Sequence, residues 1–354
     1  MSDIKVNKIK SLNGTNGPEF SGIVEMNSTG AMTLPRGNTA YRGGRGRGVF
    51  GGGYDGGSPW VTINTIDYVT IASLGNAHDF GDLSEKRSAK GGGSSATRGC
   101  FIAGRFPSAP SIQNVIDYIE IQSTGNAMDF GDLIHSGIPN QKGTSNQIRS
   151  VYGGGYINPG SNLHVNSIGY FTIATKGNSS DFGSFALFGR KQFSGSNGTR
   201  GIFAGNRGAN PGSPGVNTNN IEYVTLMSIG NAQDFGDLSE IRIQSNGSMT
   251  SSTRMVMQGG INPSAVSTMD YITMASTGDA IDFGDVSTTV REISSSTSSP
   301  TRGVFNTGSE GGGTTNNAIE YVTISTLGNS QDFGDLTSAR GVAGSVSDSH
   351  GGIV

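Results

Sequence analysis

Short runs of alternating apolar and polar residues recur along most of the chain, and each is followed by a turn. The clearest run is Ile221–Leu226, in which successive side chains point to opposite faces of a strand. Gly230 and Asn231 follow, and both residue types readily adopt the positive φ that tight turns need. A second stretch, Asp234–Leu238, completes the pattern of a β-hairpin.

This hairpin pattern occurs six times with nearly constant spacing. The Tyr of its first strand and the Asp of its Asp-Phe-Gly motif lie 11 residues apart in every copy. The six pairs are Tyr68 and Asp79, Tyr118 and Asp129, Tyr170 and Asp181, Tyr223 and Asp234, Tyr271 and Asp282, and Tyr321 and Asp332. Successive Asp-Phe-Gly motifs are 48 to 53 residues apart. A period of this size indicates a solenoid, a propeller or a similar array.

Each repeat divides into four short β segments, named A to D here. In the second repeat these segments are residues 87–96, 98–104, 116–121 and 127–133. Four strands linked by hairpins in about 50 residues are typical of one propeller blade. The sequence therefore predicts an all-β fold, a six-bladed β-propeller with four-stranded blades over residues 36–354, preceded by residues 1–35. We expect the Phe of each Asp-Phe-Gly motif to be buried between neighbouring blades.

The number of A segments predicts how the ring closes. Segments B, C and D occur six times, whereas A-like segments occur seven times, at both ends of the array. The last copy, Ser345–Ser349, keeps the Ser-rich character of the internal A segments, and the first, Arg42–Arg47, lacks it. We therefore expect residues 341–350 to supply the A strand of the first blade, hydrogen-bonded beside Val49 and Phe50.

Composition and charge exclude several classes of protein. Glycine makes up 58 of 354 residues, as in some disordered chains, but here it falls at repeated positions between β-branched and aromatic runs. The net charge of −3 provides no attraction for nucleic acid or an anionic membrane. Tyr41–Gly48 has the look of an RNA-binding Arg-Gly tract. Its second half, however, is the start of the recurring Arg-Gly-Val-Phe of segment B, so we expect no nucleic-acid partner.

Residues 1–35, the leader, lie outside the repeat and are too few to bury a core of their own. They contain no apolar run of signal-peptide or membrane-spanning length, which argues against secretion and membrane insertion. Ile4, Val6 and Ile9 alternate with polar residues and offer a strand for pairing with another chain. We expect the leader to anchor the protein in an assembly; packing beneath its own ring is the alternative.

The sequence contains no pattern that predicts catalysis. The four histidines fall at unrelated repeat positions, and Cys100, the only cysteine, can form neither a Cys/His metal cluster nor an intrachain disulfide. Asp-Phe-Gly binds Mg²⁺ in protein kinases, but the other kinase motifs are missing and its sixfold recurrence indicates an architectural role. We therefore expect a non-enzymatic protein without a cofactor, in which Cys100 packs as a small apolar residue.

A possible calcium site recurs with the repeat. Asn76, Asp79 and Asp82 have counterparts in other repeats and carry the oxygen atoms that Ca²⁺ prefers. Such residues also cap turns by accepting bonds from backbone N–H groups. We favour capping because the spacing differs from that of an EF-hand loop and the third copy ends in Ser184.

The connections between segments B and C vary most in length and composition, whereas the other connections are nearly constant. In an antiparallel blade these connections all emerge on one face of the ring, and loops on a rigid scaffold often carry recognition. Their candidate binding residues are Trp60, Phe106, Asn158 and Asn210. The alternative is that these are tolerant surface turns without a ligand.

The repeat resembles that of the kelch family of β-propellers. Arg87 corresponds to the Arg before the inner strand, Gly52-Gly53 to the double Gly after the second strand, and Tyr68 and Phe80 to the aromatic positions of the third and fourth. The outer-strand Trp usual in kelch repeats is replaced by Phe, and the double Gly is lost in several repeats, so the chain looks like a divergent relative.

The repeat and leader together also resemble virion structural proteins of tailed phages that infect marine cyanobacteria. The resemblance rests on Arg-Gly-Val-Phe, Ile-Asp-Tyr-Val-Thr-Ile and Gly-Asn-Ala-x-Asp-Phe-Gly-Asp-Leu, and on the leader segments Ile4–Ile9 and Gly30–Gly37. It implies a virion appendage, tail fibre or decoration protein that oligomerises, contacts other virion proteins and attaches to a host-surface glycan or protein. The alternative is a cellular lectin-like or protein-scaffolding propeller.

Overall fold

The chain is built almost entirely of short antiparallel strands. The computed structural model describes residues 46–56, 61–88, 91–104, 114–134, 142–157, 163–208, 216–243, 247–290, 295–311, 314–341 and 343–353. Within these residues the structure has 28 strands and one 3-10 helix, Gly351–Ile353. Six sheets of four strands each form six blades, numbered here in chain order.

The strands follow the order A to D from the centre of the ring outwards. The A strands of blades 1 to 6 are Gly344–Ser347, Gly91–Ser94, Lys142–Ser145, Arg190–Ser196, Ser248–Thr250 and Ser295–Ser298. The B strands are Arg47–Tyr54, Arg98–Ile102, Arg149–Gly153, Arg200–Gly208, Arg254–Gln258 and Arg302–Asn306. The C strands are Thr62–Thr70, Val115–Glu120, Ser167–Thr172, Val216–Thr225, Val266–Thr273 and Ala318–Thr323. The D strands are His78–Asp82, Met128–Asp132, Ser180–Ser184, Gln233–Asp237, Ile281–Val290 and Gln331–Asp335. Two small hairpins pair Tyr156–Ile157 with Leu163–His164, and Ser309–Gly311 with Thr314–Thr315.

The six blades form a closed ring, because each A strand touches the A strands of both neighbouring blades. Closure occurs in blade 1, where Gly344–Ser347 pairs with Arg47–Tyr54. Val346 lies opposite Val49 and Ser345 lies opposite Phe50 in this pairing. The predicted six-bladed β-propeller and the predicted closure strand are both confirmed.

The hydrophobic core lies between the blades. Phe235 of blade 4 packs in one cluster with Met255, Ile272 and Met274 of blade 5, and its ring meets that of Tyr223 edge-on at 6.0 Å. The other Asp-Phe-Gly phenylalanines are equally buried, as predicted: Phe80, Phe130, Phe182, Phe283 and Phe333. Cys100 is also fully buried, and this burial raises the pKa of its thiol.

The outer edge of each blade is covered by the next blade. At the junction of blades 1 and 2, the amides of Gly125 and Ala127 donate to the carbonyls of Phe80 and Asp82, both over 2.7 Å. The amide of Asp82 in turn donates to Oδ1 of Asn126 over 3.0 Å. The recurring Asn, rather than the Asp, therefore caps a backbone amide, and it does so across blades. This pairing protects the edge strands that would otherwise template aggregation.

A second repeated contact joins the middle strands of adjacent blades. The guanidinium of Arg98 in blade 2 lies 4.5 Å from the centre of the Tyr118 ring, and it donates to the Ile173 carbonyl of blade 3 over 3.1 Å. The same stacking pairs Arg47 with Tyr68, Arg149 with Tyr170, Arg200 with Tyr223, Arg254 with Tyr271, and Arg302 with Tyr321. Arg47 thus belongs to the propeller, as its repeat position predicted.

Candidate functional site

The antiparallel strand order gives the ring two different faces. Short turns join strands C and D of every blade, and strands A and B of blades 2 to 6, at one end of the blade, which we call the turn face. The B–C connections and the links between blades lie at the other end, the loop face. The C–D turns keep one spacing throughout, whereas the B–C connections differ in length, as between Tyr54 and Thr62 and between Gly153 and Ser167. The loop face therefore carries the variable part of the molecule.

The predicted binding residues Trp60, Phe106, Asn158 and Asn210 all belong to B–C connections, but they lie outside the described residues. The described strand ends that flank these connections, such as Tyr54 and Thr62, lie on the loop face. Ile4, Val6 and Ile9 of the leader also lie outside the described residues. The proposed roles of these seven side chains remain predictions.

The described part of the chain begins on the turn face. The first described residue, Gly46, precedes the B strand of blade 1 at its turn-face end, and its carbonyl accepts a bond from the Ile71 amide over 2.8 Å. Arg47 begins the strand, and its amide donates to Oδ1 of Asp348 over 2.9 Å. The described chain thus begins at the opposite end of blade 1 from Tyr54 and Thr62, which flank its B–C connection.

Serine and threonine hydroxyls line the central channel and hold its walls together. Ser94 Oγ donates to the Ser347 carbonyl, and Ser347 Oγ donates to the Ser298 carbonyl, each over 2.7 Å. Ser196 Oγ makes the equivalent bond to the Ser145 carbonyl. The channel encloses a cavity of about 80 Å³, which is large enough for ordered water. The Ser-rich character of the A segments is visible in the sequence, but the hydroxyl bonds between blades are not.

Residues 348–353 cross the channel at the turn face and close it there. The Gly351 amide donates to Oγ1 of Thr250 over 3.1 Å, and Gln147 donates to the Ile353 carbonyl over the same distance. Gly351 and Gly352 are required here because an added Cβ would lie 2.1 Å and 1.9 Å from backbone carbonyl oxygens. This segment, which we call the plug, was not predicted from the sequence, since its contacts come from the blades around it.

Two titratable residues of the plug have shifted pKa values. His350 Nδ1 accepts a bond from the Gly352 amide and Nε2 lies 3.1 Å from the Ser94 carbonyl, an arrangement that suits a neutral ring. The side chain borders the cavity and is half-buried by area, yet desolvation among the surrounding protein lowers its pKa to about 4. Burial likewise raises the pKa of Asp348 to about 6.

Buried ion pairs hold the links between blades to the C strands. Arg87, in the link from blade 1 to blade 2, lies 3.0 Å from Asp117, and neither side chain is exposed. Arg242 pairs with Asp270 over 2.7 Å in the same way. Asp117 also accepts bonds from the amide and hydroxyl of Ser84. The carboxylate therefore holds the link from blade 1 to blade 2 at both Ser84 and Arg87. The Asp that precedes the C-strand Tyr recurs in the sequence, but its arginine partner is visible only in the structure.

Blades 3 and 4 depart from this arrangement. In blade 3, Gly169 stands at the Asp position and the Tyr152 ring occupies the space beside it, with its hydroxyl bonded to Ser179. In blade 4, Lys191 and Glu222 replace the Arg and Asp. Both blades thus alter the same buried position in different ways.

The chain has no match among protein-family models or curated proteins. In the part of the chain that the structure describes, no cluster of three or more His, Cys, Asp or Glu side chains is arranged to hold a metal ion. No helix among those residues is long and apolar enough to cross a membrane. The geometry itself provides a closed ring with a variable face and, at the opposite end of blade 1, the start of the described chain at Gly46.

Proposed function

We propose that this protein is a non-enzymatic structural component of a phage virion, an appendage or a tail- or fibre-associated protein. The leader, residues 1–35, attaches it to the particle, and the loop face is directed to the host surface or to a neighbouring virion protein. The observation that carries this proposal is the position of Gly46, where the chain enters the ring on the face opposite the B–C connections.

The contrast between constant and variable connections supports recognition on the loop face. The C–D turns are constrained because each one pairs with the preceding blade, as Gly125 does with Phe80. The B–C connections differ in length from blade to blade, as between Tyr54 and Thr62 and between Gly153 and Ser167. Variable loops on a rigid scaffold are the usual location of binding residues.

The closed ring also supports an external role for the leader. Every junction between blades is made by strands, aromatic residues and arginines of the ring itself, including the junction closed by Gly344–Ser347. We therefore expect the ring to be stable without the leader and Ile4, Val6 and Ile9 to pair with another chain. Assignment of that chain to a virion follows from the resemblance of the repeat and leader to phage structural proteins.

The location is tested by mass spectrometry of purified phage particles from a culture that encodes the protein. We expect the protein at a constant copy number per particle after stringent washing. Its recovery only from the soluble host fraction would overturn the virion assignment and favour a cellular scaffolding or lectin-like propeller.

The two faces are tested separately with paired variants. Deletion of residues 1–35 is expected to leave a cooperatively folded ring that no longer joins the particle. The double variant Trp60→Ala/Asn210→Ala is expected to join the particle at normal stoichiometry but to lose binding to host cells. A truncated protein that still assembles at the wild-type level would show that the ring, and not the leader, makes the attachment.

A further inference from the structure

Blade 4 combines three neighbouring side chains that no other blade has together, although blade 6 also has a glutamate, Glu320, at the position of Glu222. Lys191 and Glu222 stand where blades 1, 2 and 5 have a buried Arg–Asp pair. Asn220, two residues before Glu222 on the C strand, is the third change. The equivalent residues of the other blades are Thr65, Val115, Ser167, Thr268 and Ala318. An amine, a carboxylate and a carboxamide are therefore combined in one blade only.

The three side chains meet at a single oxygen atom. Lys191 Nζ and Asn220 Nδ2 both bond to Oε2 of Glu222, the latter over 3.2 Å. The other carboxylate oxygen, Oε1, accepts a bond from the Ala186 amide over 2.7 Å, which holds the carboxylate in place. Glu222 is thus positioned to receive a proton from the Lys191 amine and to pass one to the Asn220 amide nitrogen.

The carbonyl of Asn220 is polarised from its other side. Thr218 Oγ1 donates a hydrogen bond of 2.5 Å to Oδ1 of Asn220. A donor at this oxygen stabilises the negative charge that develops there when a nucleophile attacks the carbonyl carbon. Thr218 thus takes the place of an oxyanion donor, and it lies two residues from Asn220 on the same strand.

The surroundings of Lys191 favour its nucleophilic form. Its side chain is fully buried, and Nζ lies 4.7 Å from the centre of the Phe185 ring. Desolvation lowers the pKa of Lys191, opposed by the charge of Glu222. A lysine in an apolar site next to a proton acceptor is a recognised form of activated amine nucleophile.

We propose that Lys191 and Asn220 form an intramolecular isopeptide bond, with Glu222 as the proton carrier. After Nζ gives a proton to Glu222, its lone pair attacks Cγ of Asn220 and forms a C–N bond. Nδ2 then takes the proton from Glu222, the Cγ–Nδ2 bond breaks and ammonia leaves, while the second proton on the attacking Nζ passes to the freed Glu222 carboxylate. The reaction exchanges one amide for another, so no oxidant, metal or cofactor takes part.

The bond would tie the A strand of blade 4 to its C strand. Lys191 lies in Arg190–Ser196 and Asn220 in Val216–Thr225, and the B strand Arg200–Gly208 lies between them. The chain from residue 191 to residue 220 becomes a covalent loop, which reduces the conformational entropy of the unfolded state. The Arg–Asp pairs of other blades hold their links without this possibility, because guanidinium remains protonated.

The proposal is tested by measuring the intact mass of the folded wild-type protein after prolonged incubation at neutral pH. We expect a mass lower than that of the sequence by one ammonia, and a branched peptide joining Lys191 to Asn220 after proteolysis. Asn220→Ala removes the electrophile, and Glu222→Gln removes the proton carrier. Both variants are expected to have the mass of their own sequences.

A double variant, Lys191→Arg/Glu222→Asp, provides the matched control. It recreates the ion pair seen at Arg242 and Asp270, so it is expected to fold while forming no cross-link. Circular dichroism and cooperative unfolding of each variant show that a missing cross-link does not come from misfolding. A folded wild-type protein with the full sequence mass, and no branched peptide, would overturn the proposal and leave Lys191 and Glu222 as an ion pair.

Discussion

Arg302 of blade 6 donates a hydrogen bond of 2.9 Å to the carbonyl of Ile71 in blade 1, which lies 231 positions earlier in the chain. Its guanidinium also lies 4.6 Å from the centre of the Tyr321 ring. The same contact at the other junctions joins consecutive blades, so this one repeats a local contact at the place where the ring closes. Closure is therefore made by the ordinary repeat chemistry as well as by the strand Gly344–Ser347.

Replacement of Arg302 by Ala is expected to lower the free energy of unfolding by about 2 kcal/mol, because a charged hydrogen bond and a cation–π contact are lost together. Equilibrium urea denaturation measures the effect. Lys86→Ala, at an exposed position, is the control and is expected to change stability by less than about 0.5 kcal/mol. Equal effects of the two substitutions would contradict a role for Arg302 in closure.

Replacement of Phe235 by Ala is expected to cost about 3 to 5 kcal/mol, because the buried ring fills the space between blades 4 and 5. Chemical denaturation with fluorescence detection measures the loss. Met227→Ala, which truncates a side chain with 48% exposure, is expected to have little effect. A small loss at Phe235 would mean that the blades are not held by this residue.

Substitution of Gly81 and Gly125 by Ala separates close packing from backbone strain. Both glycines have positive φ, +144° and +154°, but a Cβ on Gly81 would lie 2.5 Å from the Gly125 carbonyl oxygen, whereas a Cβ on Gly125 meets nothing within 4 Å. We expect Gly81→Ala to be more destabilising by about 1 to 3 kcal/mol, as for other overpacked sites. Thermal unfolding measures the loss of stability in the two variants. Equal losses would show that the close approach of Gly125 does not explain why position 81 is glycine.

Removal of residues 344–353 is expected to open the ring. Blade 1 then loses its A strand, and the edge of Arg47–Tyr54, including Val49 and Phe50, is left unpaired. We expect a lower melting temperature and concentration-dependent association, measured by light scattering. Deletion of residues 1–35 is the control and is expected to leave both properties unchanged. Unchanged stability after the first deletion would contradict closure by this strand.

The plug is expected to respond to pH through two opposing groups. The pKa of His350 falls from 6.5 to about 4 on folding, so the unfolded chain binds more protons and stability decreases as pH is lowered between these values. The pKa of Asp348 rises from 3.8 to about 6, so its protonation stabilises the folded state as pH falls through about 6. The two contributions largely cancel in the wild-type protein.

Asp348→Asn removes one of these contributions and is expected to reveal the other. The free energy of unfolding of this variant should fall by up to about 1.4 kcal/mol per pH unit as pH is lowered from 6.5 towards 4. Denaturation at a series of pH values measures the slope, with Asp348→Asn/His350→Gln as the control. A flat profile in the single variant would show that His350 does not titrate differently in the folded state.

The sequence by itself determined the fold class, the number of blades and the strand that closes the ring. Those conclusions depend on local information, namely the alternation in stretches such as Ile221–Leu226, the turn at Gly230 and a period near that of one blade. The count of A segments then placed residues 341–350 beside Val49 and Phe50, and the structure pairs Gly344–Ser347 with the B strand there. The burial of the Asp-Phe-Gly phenylalanine between neighbouring blades was also predicted, because the motif recurs in every repeat.

Only the tertiary structure decided which side chains of different blades meet. The bond between Asn126 and Asp82, the bond from Arg98 to the Ile173 carbonyl and the plug around His350 join residues from separate repeats. A repeat pattern shows that such residues recur, but not whether they face solvent, a metal or the next blade. That choice depends on the approach of one blade to another, which the alternation of apolar and polar residues along a single strand does not encode.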